Sequence, residues 1–261
     1  MNEEKVVTYE LEDEIALVGI NRPAKRNALS PEVHELLLEA VTRAGREAKC
    51  GVIFGHGDHF CAGLDLAWAT ESWQGGSSKR LPYPNNRNTF FESIARGDIP
   101  FIAAVQGAAL GGGLEVAAAA HIRVADETAF FALPEGTRGI FIGGGGSVRI
   151  ARLLGTSRMQ DMMLTGRVLD PDQAERSGLV QYVVPKGQAK AKAKELAAKI
   201  CKNTPLANFA ITNSLPRLQD MSYDDGLFFE RLVVEYTRSP ESIERLRQFL
   251  DKTAPRVQKP D

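Results

Sequence analysis

Two glutamates, Glu115 and Glu135, have neighbours that suit acid–base chemistry. Glu115 follows the three glycines Gly111–Gly113 and falls in the first turn of a predicted Ala-rich helix. Glu135 comes directly after Pro134, at the end of a short β-like segment. A glycine turn at the start of a helix offers free backbone N–H groups to a developing negative charge. Two carboxyl groups beside such a turn predict a site that stabilises an anion and transfers protons.

The elements that must position these residues alternate between strands and helices up to about residue 185. Short β-branched runs predict strands, and amphipathic segments behind a capping residue predict helices. The predicted strands lie at residues 6–11, 15–20, 51–55, in a run from 101, at 129–132 and at 179–183. Helices are predicted from 31, at 89–96, after the glycines at 111–113, at 148–154, onward to 164, and from 170.

Beyond residue 186 the sequence predicts helices alone, at 190–201, 205–215, 223–237 and 241–251. This order indicates an α/β core followed by an all-helical tail. We therefore predict two parts, residues 1–185 and residues 186–261. Residues 71–88 are rich in Gly, Ser, Pro and Asn, which predicts a surface loop.

Composition argues against several classes of function. The formal net charge is −1 and no basic block occurs, so no nucleic-acid surface is predicted. Three cysteines without a CxxC pair argue against a disulfide framework or a structural zinc site. The acidic N-terminal residues form neither a signal nor a transit pattern, and Gln106 and Glu115 would be costly in lipid. We expect a cytoplasmic protein without a nucleic-acid or membrane partner.

Common cofactor and nucleophile motifs do not occur either. The glycine clusters do not fit G-x-G-x-x-G, and neither a phosphate-binding GxxxxGK[ST] nor a GxSxG elbow is present. His56 and His59 could share a metal, although loop histidines are more often solvated. We predict no metal site.

Two glycine-bearing turns remain, Cys61–Leu64 and Gly111–Gly113, and each leads towards a helix. Their backbone N–H groups could hold an oxyanion such as the thioester oxygen of an enolate. The alternative is that these glycines only permit close packing of a strand on a helix. The pattern by itself weighs both about equally.

Four segments in this order resemble one family: NRPAKRNALS, HFCAGLDL, VQGAALGGGLE and FALPE. Together they are similar to the crotonase superfamily of enoyl-CoA hydratases and isomerases. The resemblance covers residues 6–185 and continues more weakly into the tail. It implies a spiral of ββα repeats with a C-terminal α-helical trimerisation region. It also implies an acyl-CoA substrate, a homotrimer or homohexamer, and no cofactor apart from the coenzyme A of the substrate.

The resemblance also implies roles for individual residues. The oxyanion hole falls on the N–H groups of Leu64 and Gly112, the acid–base pair on Glu115 and Glu135, and a water contact on the backbone of Gly143. The residues expected near coenzyme A are Lys25, Arg26, Ala28, Ala62, Gly63, Asp65, Leu66, Phe249 and Lys252.

Local physics suggests how the two glutamates divide the work. The helix dipole favours the ionised form of Glu115, which makes it the better base towards water. Apolar neighbours at residues 130–134 would raise the pKa of Glu135, which makes it the better proton donor to the substrate's Cα. Since nearby carboxyl groups titrate as a pair, this division is a hypothesis about the pair.

The chain departs from the family pattern at three places. His121 stands where an Asp is common, and Ile142 replaces the usual Pro ahead of four consecutive glycines, Gly143–Gly146. Residues 67–88, with Trp68, Trp73 and Tyr83, have no counterpart, so the acyl group of the substrate is not predicted.

The resemblance and the two glutamates predict an enoyl-CoA hydratase that adds water syn across a 2-enoyl-CoA. An isomerase, or a hydratase that also cleaves the thioester (on methylthioacryloyl-CoA, for example), is the first alternative. A non-catalytic acyl-CoA-binding subunit is the second, and the presence of both glutamates argues against it.

Overall fold

The computed structural model describes residues 5–73 and 89–253, and it confirms the α/β class. The chain divides into two compact units, Met1–Cys201 and Lys202–Asp261. The first unit extends past the predicted boundary at 185/186 because the helix that ends at Cys201 contacts the sheet. Within the described ranges, no helix is long and apolar enough to cross a lipid bilayer.

Two sheets carry the first unit. The strands are β1 (Val7–Glu12), β2 (Ile15–Ile20), β3 (Cys50–Gly55), β4 (Phe101–Val105), β5 (Ala108–Leu110), β6 (Ile122–Asp126), β7 (Phe130–Ala132), β8 (Val168–Leu169) and β9 (Tyr182–Val184). The larger sheet has the order β1-β2-β3-β4-β6-β9, antiparallel between β1 and β2 and parallel elsewhere. The smaller sheet has the order β5-β7-β8, with β5 and β7 parallel.

Helices follow most of the strands and then form the second unit. Those of the first unit are α1 (Pro31–Glu47), α2 (Leu66–Trp73), α3 (Thr89–Arg96), α4 (Gly112–Ala119), α5 (Gly146–Leu154), α6 (Thr156–Thr165), α7 (Pro171–Arg176) and α8 (Ala189–Cys201). The second unit contains α9 (Pro205–Leu218), α10 (Tyr223–Thr237) and α11 (Pro240–Leu250).

Strand β4 shows how the core is divided between the two faces of the larger sheet. Phe101, Ala103 and Val105 contribute to one apolar cluster, whereas Ile102 and Ala104 contribute to another. Successive side chains of a strand point to opposite faces, so a fully apolar strand must be covered on both sides. Helix α8 contributes to the second cluster, which explains why it belongs to the first unit.

Helix α1 forms as the sequence predicts. Ser30 caps it by accepting a hydrogen bond from the Val33 N–H (3.4 Å), and Pro31 is its first residue. Its buried face consists of Val33, Leu37, Ala40, Val41 and Ala44. Leu36, expected on the same face, is only half-buried because it lies at the edge of that stripe.

Several element boundaries differ from the predictions. Strands β5, β6 and β8 were not predicted as separate strands. Strand β5 lies in the apolar run that starts at Phe101, only two residues separate β6 from the Ala-rich α4, and β8 has only two residues. The last strand was predicted at 179–183 but begins at Tyr182. Residues 71–73, predicted as loop, form the last part of α2, and residues 74–88 of the predicted loop lie outside the described ranges.

Candidate active site

The two glycine-bearing turns lie side by side in the first unit. Cys61 pairs with Ala109 in a parallel bridge, and the Leu110 N–H donates to the Cys61 carbonyl at 3.0 Å. A Cβ built on Gly112 would lie 3.6 Å from the backbone nitrogen of Leu64. The N–H groups of Leu64 and Gly112 therefore lie close to one another.

Neither of these N–H groups has a hydrogen-bond partner within residues 5–73 and 89–253. Leu64 and Leu29 form a parallel bridge. Its two hydrogen bonds join Leu29 to the residues on either side of Leu64, namely Gly63 and Asp65, so the Leu64 N–H points away from Leu29. Gly112 is the first residue of α4, where an N–H group has no intrahelical acceptor. Two adjacent free donors are what an oxyanion requires.

Close packing explains why glycines occupy these turns. Gly63 and Gly111 have φ values of 88° and 51°, which L side chains rarely adopt. A Cβ on Gly113 would collide with the Cys61 carbonyl oxygen, so α4 can start beside the other turn only with glycine there. The two explanations for these glycines, close packing and free N–H donors, therefore both apply.

Seven of the residues expected near coenzyme A come from two segments that the fold joins, residues 25–28 and 62–66. The Ala62 N–H donates to the Arg26 carbonyl at 2.9 Å, and the Leu29 N–H donates to the Gly63 carbonyl at 2.7 Å. Lys25 and Arg26 are exposed beside this junction, and Leu66 is 46% exposed. Their predicted contacts with coenzyme A stay predictions.

Glu115 is buried, with only 4% of its surface exposed. Its Oε1 accepts hydrogen bonds from the Gly144 N–H at 2.7 Å and the Gly146 N–H at 2.9 Å. Both donors belong to the four-glycine turn that leads into α5. Such charge-assisted bonds hold a carboxylate in one orientation.

Glu135 is also buried, with 6% of its surface exposed, and it follows the short strand β7. Because β7 pairs with β5 in parallel, its end lies beside the start of α4, and the Gly111 N–H donates to the Ala132 carbonyl at 2.9 Å. Its carboxyl group occupies the space beside Gly111. Among the described residues its Oε2 has no hydrogen-bond partner.

Burial raises the pKa of both glutamates. For Glu115, burial outweighs the lowering by the Gly146 and Gly144 N–H groups and by the Arg149 charge. Burial raises the pKa of Glu135 and outweighs the lowering by its own backbone N–H, and the negative charge of Glu115 raises it further. The helix dipole was expected to favour ionised Glu115, but the larger effect on its pKa is burial. What distinguishes the two groups is hydrogen bonding.

Five residues that shape this site were not predicted from the sequence. Gly144 and Gly146 hold Glu115, and Arg149 donates to the Gly144 carbonyl. Arg22 bonds the Ala28 carbonyl (2.6 Å) and the Asp65 carboxylate (3.0 Å), and fully buried Asn27 donates to the carbonyls of His56 and His59. Asn27 has a φ of 58°, and an Asn in a turn is the one signal that could have indicated such a role.

Four further residues predicted for the site have separate environments: Gly143, Asp65, Phe249 and Lys252. The Gly143 N–H is a weaker contributor that lowers the pKa of Glu115. Asp65 is bound to Arg22 and accepts a hydrogen bond from the Trp68 N–H at 3.4 Å. Phe249 is 61% exposed on α11, and Lys252 follows the end of that helix.

The two loop histidines have structural partners. A ring nitrogen of His56 lies 2.8 Å from the Thr8 hydroxyl, and His59 Nδ1 accepts a hydrogen bond from the Ala108 N–H at 3.1 Å. Within the described residues no cluster of three or more potential metal ligands occurs. Trp68 is half-buried, and Tyr83 lies outside the described ranges.

The family model for enoyl-CoA hydratases and isomerases matches residues 10–259. Enoyl-CoA hydratase EchA19 of Mycobacterium tuberculosis is 36% identical over 245 residues, covering 93% of this chain and 92% of that protein. The 2,3-dehydroadipyl-CoA hydratase of Escherichia coli is 33% identical over 244 residues, covering 92% and 94%. A crystal structure of an enoyl-CoA hydratase from a Polaromonas species superposes with a TM-score of 0.88 at 27% identity, covering 94% of this chain and 97% of the other.

These matches extend over nearly the whole chain and agree with the α/β architecture. They confirm the crotonase fold and the hydratase class of enzyme, a carbon–oxygen lyase. The chain therefore belongs to the enoyl-CoA hydratase/isomerase family of the crotonase superfamily.

Proposed function

We propose that this protein is an enoyl-CoA hydratase that adds water syn across the 2,3 double bond of a 2-enoyl-CoA thioester. The observation that carries this proposal is a pair of N–H groups, on Leu64 and Gly112, that have no hydrogen-bond partner in the described part of the chain and lie in the same site as two buried glutamates. Anion donors beside two proton-transfer groups suit a reaction with an enolate intermediate.

In the proposed reaction Glu115 takes a proton from water while the water oxygen bonds to C3 of the substrate. The π electrons of the double bond shift so that the thioester oxygen becomes an enolate oxygen, which accepts hydrogen bonds from Leu64 and Gly112. The enolate then collapses and C2 takes a proton from Glu135. The π bond between C2 and C3, one O–H bond of water and the O–H bond of protonated Glu135 are broken, while the C3–O bond, the C2–H bond and an O–H bond on Glu115 are formed. Return of a proton from Glu115 to Glu135 through solvent restores the starting state.

The hydrogen bonds support this division of roles. Glu115 Oε1 accepts two backbone N–H bonds, which favour its ionised form, and the cationic Arg149 is nearby. Glu135 Oε2 has no partner among the described residues, and the charge of Glu115 adds to its preference for the protonated form. A proton donor and a base with these surroundings match the needs of hydration.

Coenzyme A is proposed to bind with its nucleotide end near Lys25, Arg26 and Ala28. Its pantetheine would pass Ala62 and Leu66, with Gly63 and Asp65 beside it. Exposure of the two cations and their junction with the Ala62 segment support this proposal. Phe249 and Lys252 are proposed contacts from a neighbouring subunit, the catalytic water is proposed to contact the Gly143 backbone, and no further cofactor is required.

The proposal predicts that Glu115→Gln and Glu135→Gln each lower kcat for crotonyl-CoA hydration by about 10²–10⁴-fold, the usual contribution of a general acid or base. Loss of the enoyl thioester absorbance measures turnover. Glu32→Gln, an exposed position on α1, is the matched control and should keep wild-type kcat. Near-normal turnover by either active-site variant would remove the assignment.

Product analysis separates hydration from its alternatives. Mass spectrometry after incubation with a panel of enoyl-CoAs should find products heavier by one water. The panel should include 2,3-dehydroadipyl-CoA and methylglutaconyl-CoA, since hydratases named for these substrates are each 33% identical to this chain. An unchanged mass with a moved double bond indicates an isomerase, and release of coenzyme A indicates thioester cleavage. Tight binding of enoyl-CoAs without turnover indicates a non-catalytic subunit.

A further inference from the structure

The turn that holds Glu115 consists of four consecutive glycines, Gly143–Gly146. Its N–H groups at Gly144 and Gly146 both donate to Glu115 Oε1. Glycine has more backbone freedom than any other residue and supplies no side chain to restrict the turn. The orientation of Glu115 therefore depends on a constraint from outside the turn.

Arg149, on the first turns of α5, also contacts this turn, through a different backbone group from those that bond Glu115. Its Nη2 donates to the Gly144 carbonyl, and its guanidinium lies where a Cβ on Gly145 would be. The Gly144 carbonyl belongs to the peptide group between the two N–H groups that hold Glu115. Fixing that peptide group fixes the spacing of the two donors.

Glu92 of α3 holds Arg149 in turn, with 2.6 Å between Arg149 Nη1 and Glu92 Oε1. The Arg149 side chain is 17% exposed, whereas that of Glu92 is 46% exposed. Arg96, one turn further along α3, lies 3.7 Å from the other oxygen of Glu92. The guanidinium is thus fixed by α3 on one side and by the glycine turn on the other.

An exposed ion pair would contribute little, typically below about 1 kcal/mol. The Arg149 pair differs because its guanidinium is mostly buried and also bonds a backbone carbonyl, and charge-assisted bonds of a planar guanidinium are stronger and more directional. Its Nε is buried and has no partner among the described residues, and an unpaired buried donor costs free energy. An incidental contact at the surface would leave this nitrogen in water instead.

We propose that Arg149, oriented by Glu92, is a positioning residue that fixes the Gly143–Gly146 turn and thereby aims Glu115 at the catalytic water. Its guanidinium supplies the rigidity that four glycines lack. The kinetic consequences rest on the proposed hydratase function, whereas the effect on the turn does not.

The charged groups that face Glu115 are Arg149 from α5 and Glu135 from the segment after β7. Glu92 and Arg96 of α3 act through Arg149. Removing the Arg149 charge therefore disfavours ionised Glu115, so the acid limb of the pH profile of kcat should move to higher pH. Arg149→Lys keeps the charge but not the fork, so it should restore the pH profile without restoring kcat.

The test compares wild type with Arg149→Met, Arg149→Lys and the control Arg96→Met. Arg96→Met removes a cation from the same ion pair network without touching the glycine turn. Hydrogen exchange of the Gly144 and Gly146 amides, followed by NMR, should be about tenfold faster or more in Arg149→Met and unchanged in the control. With crotonyl-CoA, Arg149→Met should lower kcat by about 10–100-fold, the effect of misplacing a catalytic group by about 1 Å, with KM within twofold of wild type.

Unchanged amide exchange in Arg149→Met, or equal losses in kcat in Arg149→Met and the control, would overturn the positioning role. If Arg149→Met does not fold, Glu92→Ala carries the same test, because it leaves Arg149 in place but unheld. Equal exchange and kcat in Glu92→Ala and wild type would then overturn the proposal. A wild-type protein that hydrates no enoyl-CoA would contradict the proposed function, while the exchange measurement would still decide whether Arg149 fixes the turn.

Discussion

At Gly111 the carboxyl group of Glu135 occupies the space that a side chain would take. The φ of 51° at Gly111 is itself unfavourable for any residue with a Cβ. Gly111 therefore serves two purposes: it turns the chain into α4, and it leaves room for the carboxyl group of Glu135. Substitution should strain the backbone and displace Glu135 together.

Gly111→Ala is expected to lower kcat by about 10–100-fold, because a shift of about 1 Å in a catalytic group has an effect of that size. It should also destabilise the fold by more than about 1 kcal/mol, the usual cost of Ala at positive φ. Steady-state kinetics and urea unfolding measure the two effects. The matched control is Gly187→Ala, where φ is 78° and a Cβ would meet no atom within 4 Å.

The control should lose stability but keep its kcat, since it strains the backbone without moving Glu135. An equal loss of kcat in both variants would show that backbone strain alone explains the effect at Gly111. Unchanged kcat in Gly111→Ala would contradict the placement of Glu135 beside this glycine.

Among the elements, strand β4 is tied to the turn between α4 and β6 by His121. The Phe101 N–H donates to His121 Nδ1 at 3.0 Å, and the His121 N–H donates to the Phe101 carbonyl at 2.9 Å. Burial, and then the charge of Arg123, lower the pKa of His121 to about 4 from the ordinary 6.5. A ring nitrogen that accepts a backbone hydrogen bond must be unprotonated.

This lowered pKa makes stability depend on pH. Above pH 6.5 His121 is neutral in both the folded and the unfolded chain, so no penalty arises. As the pH falls from about 6.5 towards 4, the unfolded chain binds a proton that the folded chain does not, and stability is lost. Between pH 7.5 and 5 the expected loss from this residue is about 1–2 kcal/mol, since one pKa unit corresponds to about 1.4 kcal/mol and His121 is only half-buried.

His121→Asn should remove this dependence, because an amide oxygen can accept the Phe101 hydrogen bond but does not titrate in this range. Urea unfolding at pH 7.5 and at pH 5 gives the free energies of unfolding to compare. Wild type should lose about 1–2 kcal/mol more than the variant over this interval. Equal losses in the two proteins would show that His121 does not carry the effect.

For the molecule as a whole, local sequence signals predicted the start of α1 and both bounds of β2, α3 and α10. These elements carry strong periodicity or clear caps, such as Ser30 with Pro31 ahead of α1. Short strands such as β8 lack periodicity, and they form only because a partner strand is present. Periodicity predicted α8 as a helix, but it could not assign α8 to the sheet.

In the site, too, features with a local sequence signal were predicted and contacts between distant residues were not. Glu115 and Glu135 stood out by residue type and by their glycine and proline neighbours. The hydrogen bonds from Gly144 and Gly146 to Glu115 did not, because they join positions far apart in the chain through backbone N–H groups that every residue except proline has. Arg149 was overlooked because an arginine on an amphipathic helix is ordinarily a solvated charge.

The second unit leaves large apolar side chains exposed. On α10 they include Phe228 (66% exposed) and Leu232 (52%), and on α11 Leu246 (66%) and Leu250 (78%). A monomeric protein rarely exposes so many large apolar groups on two helices, which favours burial against another protein surface. The family resemblance implies that this surface is a second copy of the chain, in a trimer or a pair of trimers.

Phe228→Glu combined with Leu246→Glu should therefore shift the protein towards monomers, because it places two charges where apolar contact is expected. Light scattering behind size-exclusion chromatography measures the mass of the assembly, which should be that of a trimer or hexamer in wild type. Glu230→Ala, an exposed change on the same α10, should leave the mass unchanged.

If Phe249 and Lys252 contact a neighbour's coenzyme A, the dissociated variant should also have a higher KM for crotonyl-CoA. A monomeric wild type would contradict the expected assembly, and an unchanged KM in a monomeric variant would contradict the contribution of those two residues.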